Sequence, residues 1–195
     1  MCNLYTQTSA PEAMRALFAR KQMPLNFPEG IPNLQPRDVR ITDPAPIVRS
    51  TPDPAGGYQL VVRRWSWPGP NGKPVYNFRS DGREFPSDRC LVLADGFYEF
   101  TMPADPRQKR KDRWLFTRAD GEMIGIAGLV RDMPGAGEAF TMLTTPPGAD
   151  VAPYHGRQIA LLPPGEWRSW LDHSLPARDL LGPCPAGTLA VRAAS

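Results

Sequence analysis

The chain has 195 residues, 41% of them hydrophobic and 22% charged, with a net charge of +3. That balance suits one soluble domain spanning 1–195 and excludes a wholly disordered chain, because enough apolar surface exists to offset ordering entropy. No apolar run approaches the ~20 residues needed to cross a bilayer. The mildly basic pI, about 8.9, permits an anionic partner without demanding one.

Prolines (24) and glycines (17) are frequent, which predicts many turns and few long helices. In chain order, Ser9-Ala10-Pro11-Glu12 reads as a capping box with Pro just inside a helix. Met14, Leu17 and Phe18 continue it at helical spacing, and it should stop within 20–23, before Pro24. A Pro-rich stretch over 26–57 holds a short apolar piece at 46–49. Residues 58–67 are rich in β-branched and aromatic side chains and read as a strand. Residues 89–100 read as strand, turn at Ala94-Asp95-Gly96, and strand. A basic loop fills 102–113, and further strands are expected at 114–117, 123–130, 139–145, 158–162 and 188–192. Short helices are expected at 164–171 and 176–181, with Ser174 placed to cap the second. The class is therefore α+β, a mostly antiparallel curled sheet or partly closed β-barrel with short peripheral helices.

The opening Met1-Cys2-Asn3-Leu4 has neither the basic nor the apolar region of a secretory signal, so a cytoplasmic protein is expected. Three cysteines (Cys2, Cys90, Cys184) fit free thiols in a reducing compartment. Their spacing matches no metal site, and His155 and His173 are the only histidines. Neither a metal nor a cofactor is expected.

Several residues carry chemistry. Removing Met1 would give Cys2 a free α-amine beside its thiol, and a 1,2-aminothiol closes on an aldehyde as a thiazolidine. With a pKa of about 7.7–8.0, roughly a third of such an amine is unprotonated near pH 7.5, against about 0.1% of a free Lys. By position alone, Cys2 reads first as a small residue near a frayed end. Glu99 lies among Phe97, Tyr98 and Phe100. In a strand it shares a face with Phe97, where partial burial would raise its pKa toward acid–base use. A solvent-facing Glu on an edge strand is the alternative. His155, in a Pro/Gly-rich loop, suits proton transfer near neutral pH, or is a loop histidine bonded to backbone. His173 ends a helix whose dipole would favour its cation, and reads as structural.

Asn77 and Arg79 point the same way if extended, and suit sugar and phosphate oxygens, or simply a polar strand face. Arg63, Arg64 and Arg83 extend a candidate phosphate track, while Arg107, Lys109, Arg110, Lys111 and Arg113 read first as a solvated charge run. Trp65 and Trp67, two apart, would share one strand face and either stack bases or pack in a core.

Taken together, Met1-Cys2, RRWSWP at 63–68, YNFRSD at 76–81, RCLVLADGFYEF at 89–100, TMLTTPPGADVAPYHGRQIALL at 141–162 and EWRSWL at 166–171 resemble the SOS response-associated peptidase (SRAP) family of abasic-site crosslinking proteins. The resemblance runs in order through nearly the whole chain. It implies a mostly β fold in a monomeric, nucleoid-associated protein that meets abasic sites in single-stranded DNA. It implies that Cys2, freed of Met1, crosslinks to the ring-opened deoxyribose aldehyde. Asn77 would hold the Cys2 terminus and the sugar, Glu99 would assist ring opening and iminium formation, and His155 would transfer protons. Arg79 would contact phosphate, and Thr145 falls near a backbone-contacting position. Leu4 stands where the family often has Arg, and ADGFYEF where ADGFYEW is common. Two other readings compete: an N-terminal-nucleophile peptidase using the Cys2 thiolate, and a non-catalytic nucleic-acid module using the basic loop and the tryptophans.

Overall fold

The structure, a computed structural model, describes residues 2–51, 56–105, 107–135 and 137–194. In chain order its elements are β1 (Leu4–Gln7), α1 (Pro11–Arg20), β2 (Leu25–Asn26), β3 (Arg37–Arg40), β4 (Pro44–Ser50), β5 (Tyr58–Trp65), β6 (Trp67–Pro68), β7 (Pro74–Val75) and β8 (Asn77–Arg79). There follow β9 (Arg89–Ala94), β10 (Gly96–Thr101), β11 (Asp112–Arg118), β12 (Ile124–Met133), β13 (Gly137–Thr145), β14 (Gln158–Ile159) and β15 (Leu161–Leu162). Two short helices, α2 (Trp167–Leu171) and α3 (Ala177–Leu180), precede the last strand, β16 (Leu189–Ala194).

The strand-rich α+β architecture expected from the sequence is present, and the barrel closes. Strands β5, β4, β9, β12 and β13 pair in turn, all antiparallel, and β13 returns to pair with β5 in parallel. Closure removes the exposed edges of this sheet. Strand β8 adds to β13 in parallel. A second sheet runs in the order β16-β11-β10-β1-β3.

Strand β9 explains how the two cores arise. All six of its residues are buried. Leu91 and Leu93 join a core with Phe18, Trp167 and Trp170 of the helices, whereas Cys90, Val92 and Ala94 face a second core with Phe97, Phe116 and Phe140. A strand covered on both faces reads as a continuous apolar run, as RCLVLA does. Gly125 of β12 is required by this packing, because a Cβ there would lie 2.3 Å from the indole nitrogen of Trp167.

Three local expectations are corrected. Ser9 does not cap α1, whose first turn begins at Ala10 without a side-chain cap. The Ser9 hydroxyl donates instead to Asp95 at 2.5 Å, and the backbone N–H groups of Thr8 and Ser9 donate to the same carboxylate. Ser174 does not cap α3 either. That helix begins after Pro176, and its Ala177 N–H donates to Glu84 at 2.8 Å. The expected strand over 58–67 breaks at Ser66, whose φ is 89°.

Candidate active site around Cys2

Strand β1 runs antiparallel to β10, with Tyr5 opposite Phe97 and Thr6 opposite Gly96. The chain start is therefore led back past Glu99. Asp95, at the corner between β9 and β10, holds the other end of β1 through Thr8 and Ser9. Cys2 is 1% exposed. Its backbone N–H donates to the Glu99 carboxylate. Its carbonyl accepts a 2.7 Å hydrogen bond from Asn77 Nδ2, and its thiol lies 3.3 Å from the Leu4 carbonyl. The sequence spreads these three residues over nearly a hundred positions, and the β1–β10 and β8–β13 pairings bring them together.

Glu99 is 1% exposed, which removes the solvent-facing alternative. Burial raises its pKa above the usual carboxylate range, while His155 and the Cys2 N–H pull the other way. Burial likewise pushes the Cys2 thiol up to about 12, and the nearby Glu99 charge adds to the rise. The thiol is therefore neutral in this state, and the buried carboxyl holds its proton more tightly than a free one.

His155 reaches the site on a stack of aromatic rings. Glu99 and Trp114 are cross-strand partners, as are Phe97 and Phe116. Phe97 stacks on Phe116 with centroids 4.9 Å apart. Tyr154 then sits 4.9 Å from Trp114 and 5.3 Å from Phe116. His155 follows directly, in a turn where Val151 accepts from both Tyr154 and His155 N–H groups. Its Nδ1 lies 2.9 Å from both the N–H and the carbonyl oxygen of Arg157.

Asn77→Ala is expected to slow any reaction at Cys2 by about 10–100-fold, because one buried hydrogen bond on a reacting residue is worth about 1–3 kcal/mol. Single-turnover rates of the variant against wild type check this.

The other sequence candidates divide. Arg79 and Arg64 are exposed and carry no ion pair among the described residues. Arg63 is held by Glu29 and Glu138, and Arg83 stacks over Phe78 at 4.9 Å. In the basic loop, Arg107 pairs with Asp105, while Arg113 pairs with Asp38 and covers the Tyr98 ring at 3.8 Å. Trp65 and Trp67 do not share a face. The break at Ser66 turns Trp65 into one core and Trp67 into the other, 0% and 6% exposed, so neither presents a ring for base stacking. Thr145 is 1% exposed, and its hydroxyl donates to the Pro146 carbonyl, so it offers no outward contact to a DNA backbone. At His173, the burial of the ring works against the dipole expected to favour its cation. Desolvation, with Arg89 nearby, lowers its pKa. Among the described residues no cluster of His, Cys, Asp or Glu could hold a metal ion, and no helix is long and apolar enough to cross a membrane. Met1, whose removal the aminothiol chemistry requires, lies outside the described residues.

Sequence reasoning gave Asp95, Tyr154, Asp81 and Arg157 no role in the site. An Asp-Gly turn and a loop Arg identify themselves as partners only once the chain is folded.

Fold and site together define a closed-barrel protein with a buried cysteine near the chain start, flanked by a carboxylate, an amide and a histidine. The chain belongs to the SOS response associated peptidase (SRAP) family, which matches residues 1–195. No curated protein matches the sequence. Among solved structures, a protein from Bordetella bronchiseptica is 26% identical with a TM-score of 0.72, and each chain is covered over 100% of its length. A protein from Bacteroides thetaiotaomicron has a TM-score of 0.76 at 17% identity, covering 100% of this chain and 92% of its own. A phage-related protein from Bordetella bronchiseptica has a TM-score of 0.71 at 22% identity, covering 99% and 94%. The last two likenesses speak for the fold alone.

Proposed function

We propose that this protein captures abasic sites in single-stranded DNA, using the α-amine and thiol of Cys2 after Met1 is removed. The observation that carries this reading is the hydrogen bond from the Cys2 nitrogen to the buried Glu99 carboxylate. Once Met1 is gone, that nitrogen is an amine facing a proton acceptor.

The neutral amine adds to the C1′ aldehyde of the ring-opened sugar and gives a carbinolamine. Protonation of its hydroxyl, from Glu99 or through His155, releases water and leaves an iminium. The Cys2 thiol then adds to the iminium carbon and gives up its proton, closing a five-membered thiazolidine. The thiol needs no free thiolate, because it attacks within its own residue, where effective concentration is very high. Asn77 fixes the Cys2 carbonyl throughout, and Arg79, exposed on the same short strand, is the group that would contact a DNA phosphate.

The peptidase reading is less well supported. It needs a thiolate nucleophile, and a thiol held near 12 supplies almost none at neutral pH. The purely binding reading loses its tryptophan platform to the core.

The test is a denaturing gel after incubation of the Met1-free protein with single-stranded DNA carrying one abasic site. A heat-stable adduct is expected from wild type. Cys2→Ala keeps an α-amine but no thiol, so its adduct should survive denaturation only after borohydride reduction. A stable, unreduced adduct from Cys2→Ala, or none from wild type, would overturn the proposal.

A further inference from the structure

We propose that Arg157 is a positioning residue for His155. Its side chain pins the loop while its own carbonyl accepts from His155 Nδ1 in both protonation states, so the exchanged proton always travels by Nε2. The inference rests on the reading of His155 as the proton carrier above.

Two features make the case. The first is the anchor. Arg157 Nη2 donates to the Thr144 carbonyl at 2.7 Å and to its hydroxyl at 3.0 Å. The same guanidinium pairs with Asp81 at 2.7–3.0 Å. Thr144 belongs to β13, and Asp81 lies two residues beyond Arg79 of β8, which pairs with Thr144. One side chain therefore ties the His155 loop to the strand pair that carries Asn77. Only 14% of this side chain is exposed, although its charge lies near the surface. The planar fork is what lets it hold a carbonyl, a hydroxyl and a carboxylate at once, which an ammonium group does not reproduce.

The second is the ring contact. His155 Nδ1 is 2.9 Å from the Arg157 N–H and 2.9 Å from the Arg157 carbonyl oxygen. A neutral imidazole with its proton on Nδ1 donates to the carbonyl. An imidazolium keeps that same bond. The ring changes charge without turning, and Nε2 is the atom that gains and loses the proton. A relay that need not rotate is suited to the repeated proton moves of iminium formation and its reversal.

The experiment joins 15N NMR of the imidazole nitrogens with single-turnover adduct formation. The chain holds only two histidines, so His173→Gln assigns the His155 signals. Wild type should show neutral His155 almost entirely as the Nδ1–H tautomer. Arg157→Ala should give a mixture of tautomers and adduct formation slower by about 10–100-fold, the effect of a catalytic group misplaced by about 1 Å. Arg157→Lys, which keeps the pairing with Asp81 but not the fork, should fall between, and replaces the Ala variant if that fails to fold. An unchanged tautomer in the variants overturns the proposal, whatever the rate does. A changed tautomer with an unchanged rate overturns it too. If wild type forms no adduct yet the tautomer shifts on substitution, the clamp stands and the DNA reading above falls.

Discussion

Glu99→Gln is expected to slow adduct formation by about 10²–10⁴-fold, the usual contribution of a positioned acid or base, and to stabilise the fold at neutral pH. The two effects share one cause. Burial raises the pKa of Glu99 in the folded protein above its unfolded value. A carboxyl with that shift binds its proton more tightly when folded. Stability linked to it is full below the unfolded pKa of about 4.3, and is lost as pH rises through the folded value. Gln carries no such proton, so the variant should lose less stability than wild type between pH 4 and pH 8. Denaturant melts across that range check the sign, and single-turnover rates check the loss. A variant that is less stable than wild type at pH 7 would contradict the account of why the carboxyl is buried. A protein that gives up stability to keep a proton-transfer group in an apolar wall is trading one property for the other.

Trp65→Ala should destabilise the protein by about 3–5 kcal/mol, a fall in Tm of about 6–20 °C for a chain of this size. Trp65 is fully buried. It packs edge-on to Tyr5 at 5.2 Å and to Tyr76 at 6.2 Å, and its indole N–H donates to the Tyr76 carbonyl at 3.0 Å. Tyr76 precedes Asn77 and Tyr5 lies on β1, so the ring also supports both strands that meet at Cys2. Trp65→Phe should keep most of the packing and lose chiefly the hydrogen bond, about 1 kcal/mol. Thermal melts of both variants decide this. If Trp65→Ala melts like wild type and loses only DNA affinity, the ring is a stacking platform after all.

Many of the strands were legible because each carries its own signal. RCLVLA is apolar throughout and lies buried on both faces. Residues 137–145 and 124–133 likewise formed strands where β-rich runs stood. The failures came where a distant group outcompeted a local one. Ser9 has the sequence of a cap, but Asp95, 86 residues away, takes its hydroxyl. Trp65 and Trp67 alternate as if on one strand, but a positive φ at Ser66 reverses the geometry between them. In the site, Cys2, Asn77, Glu99 and His155 could be singled out by type, and their assembly depended on pairings that no local pattern encodes. The pairing of Asp81 and Thr144 through Arg157 had no local signal, because an ion pair across 76 residues is visible only in three dimensions.

The central claim is that the nitrogen of Cys2, freed of Met1, is the atom that joins DNA. Peptide mapping by mass spectrometry of the digested protein–DNA adduct tests this most directly. The account predicts a deoxyribose remnant on the peptide beginning at Cys2, with Met1 absent, one water lost on joining, and both the nitrogen and the sulfur resistant to acylation and alkylation. A remnant on a lysine, or on the Cys2 sulfur alone with Met1 still attached, would contradict it.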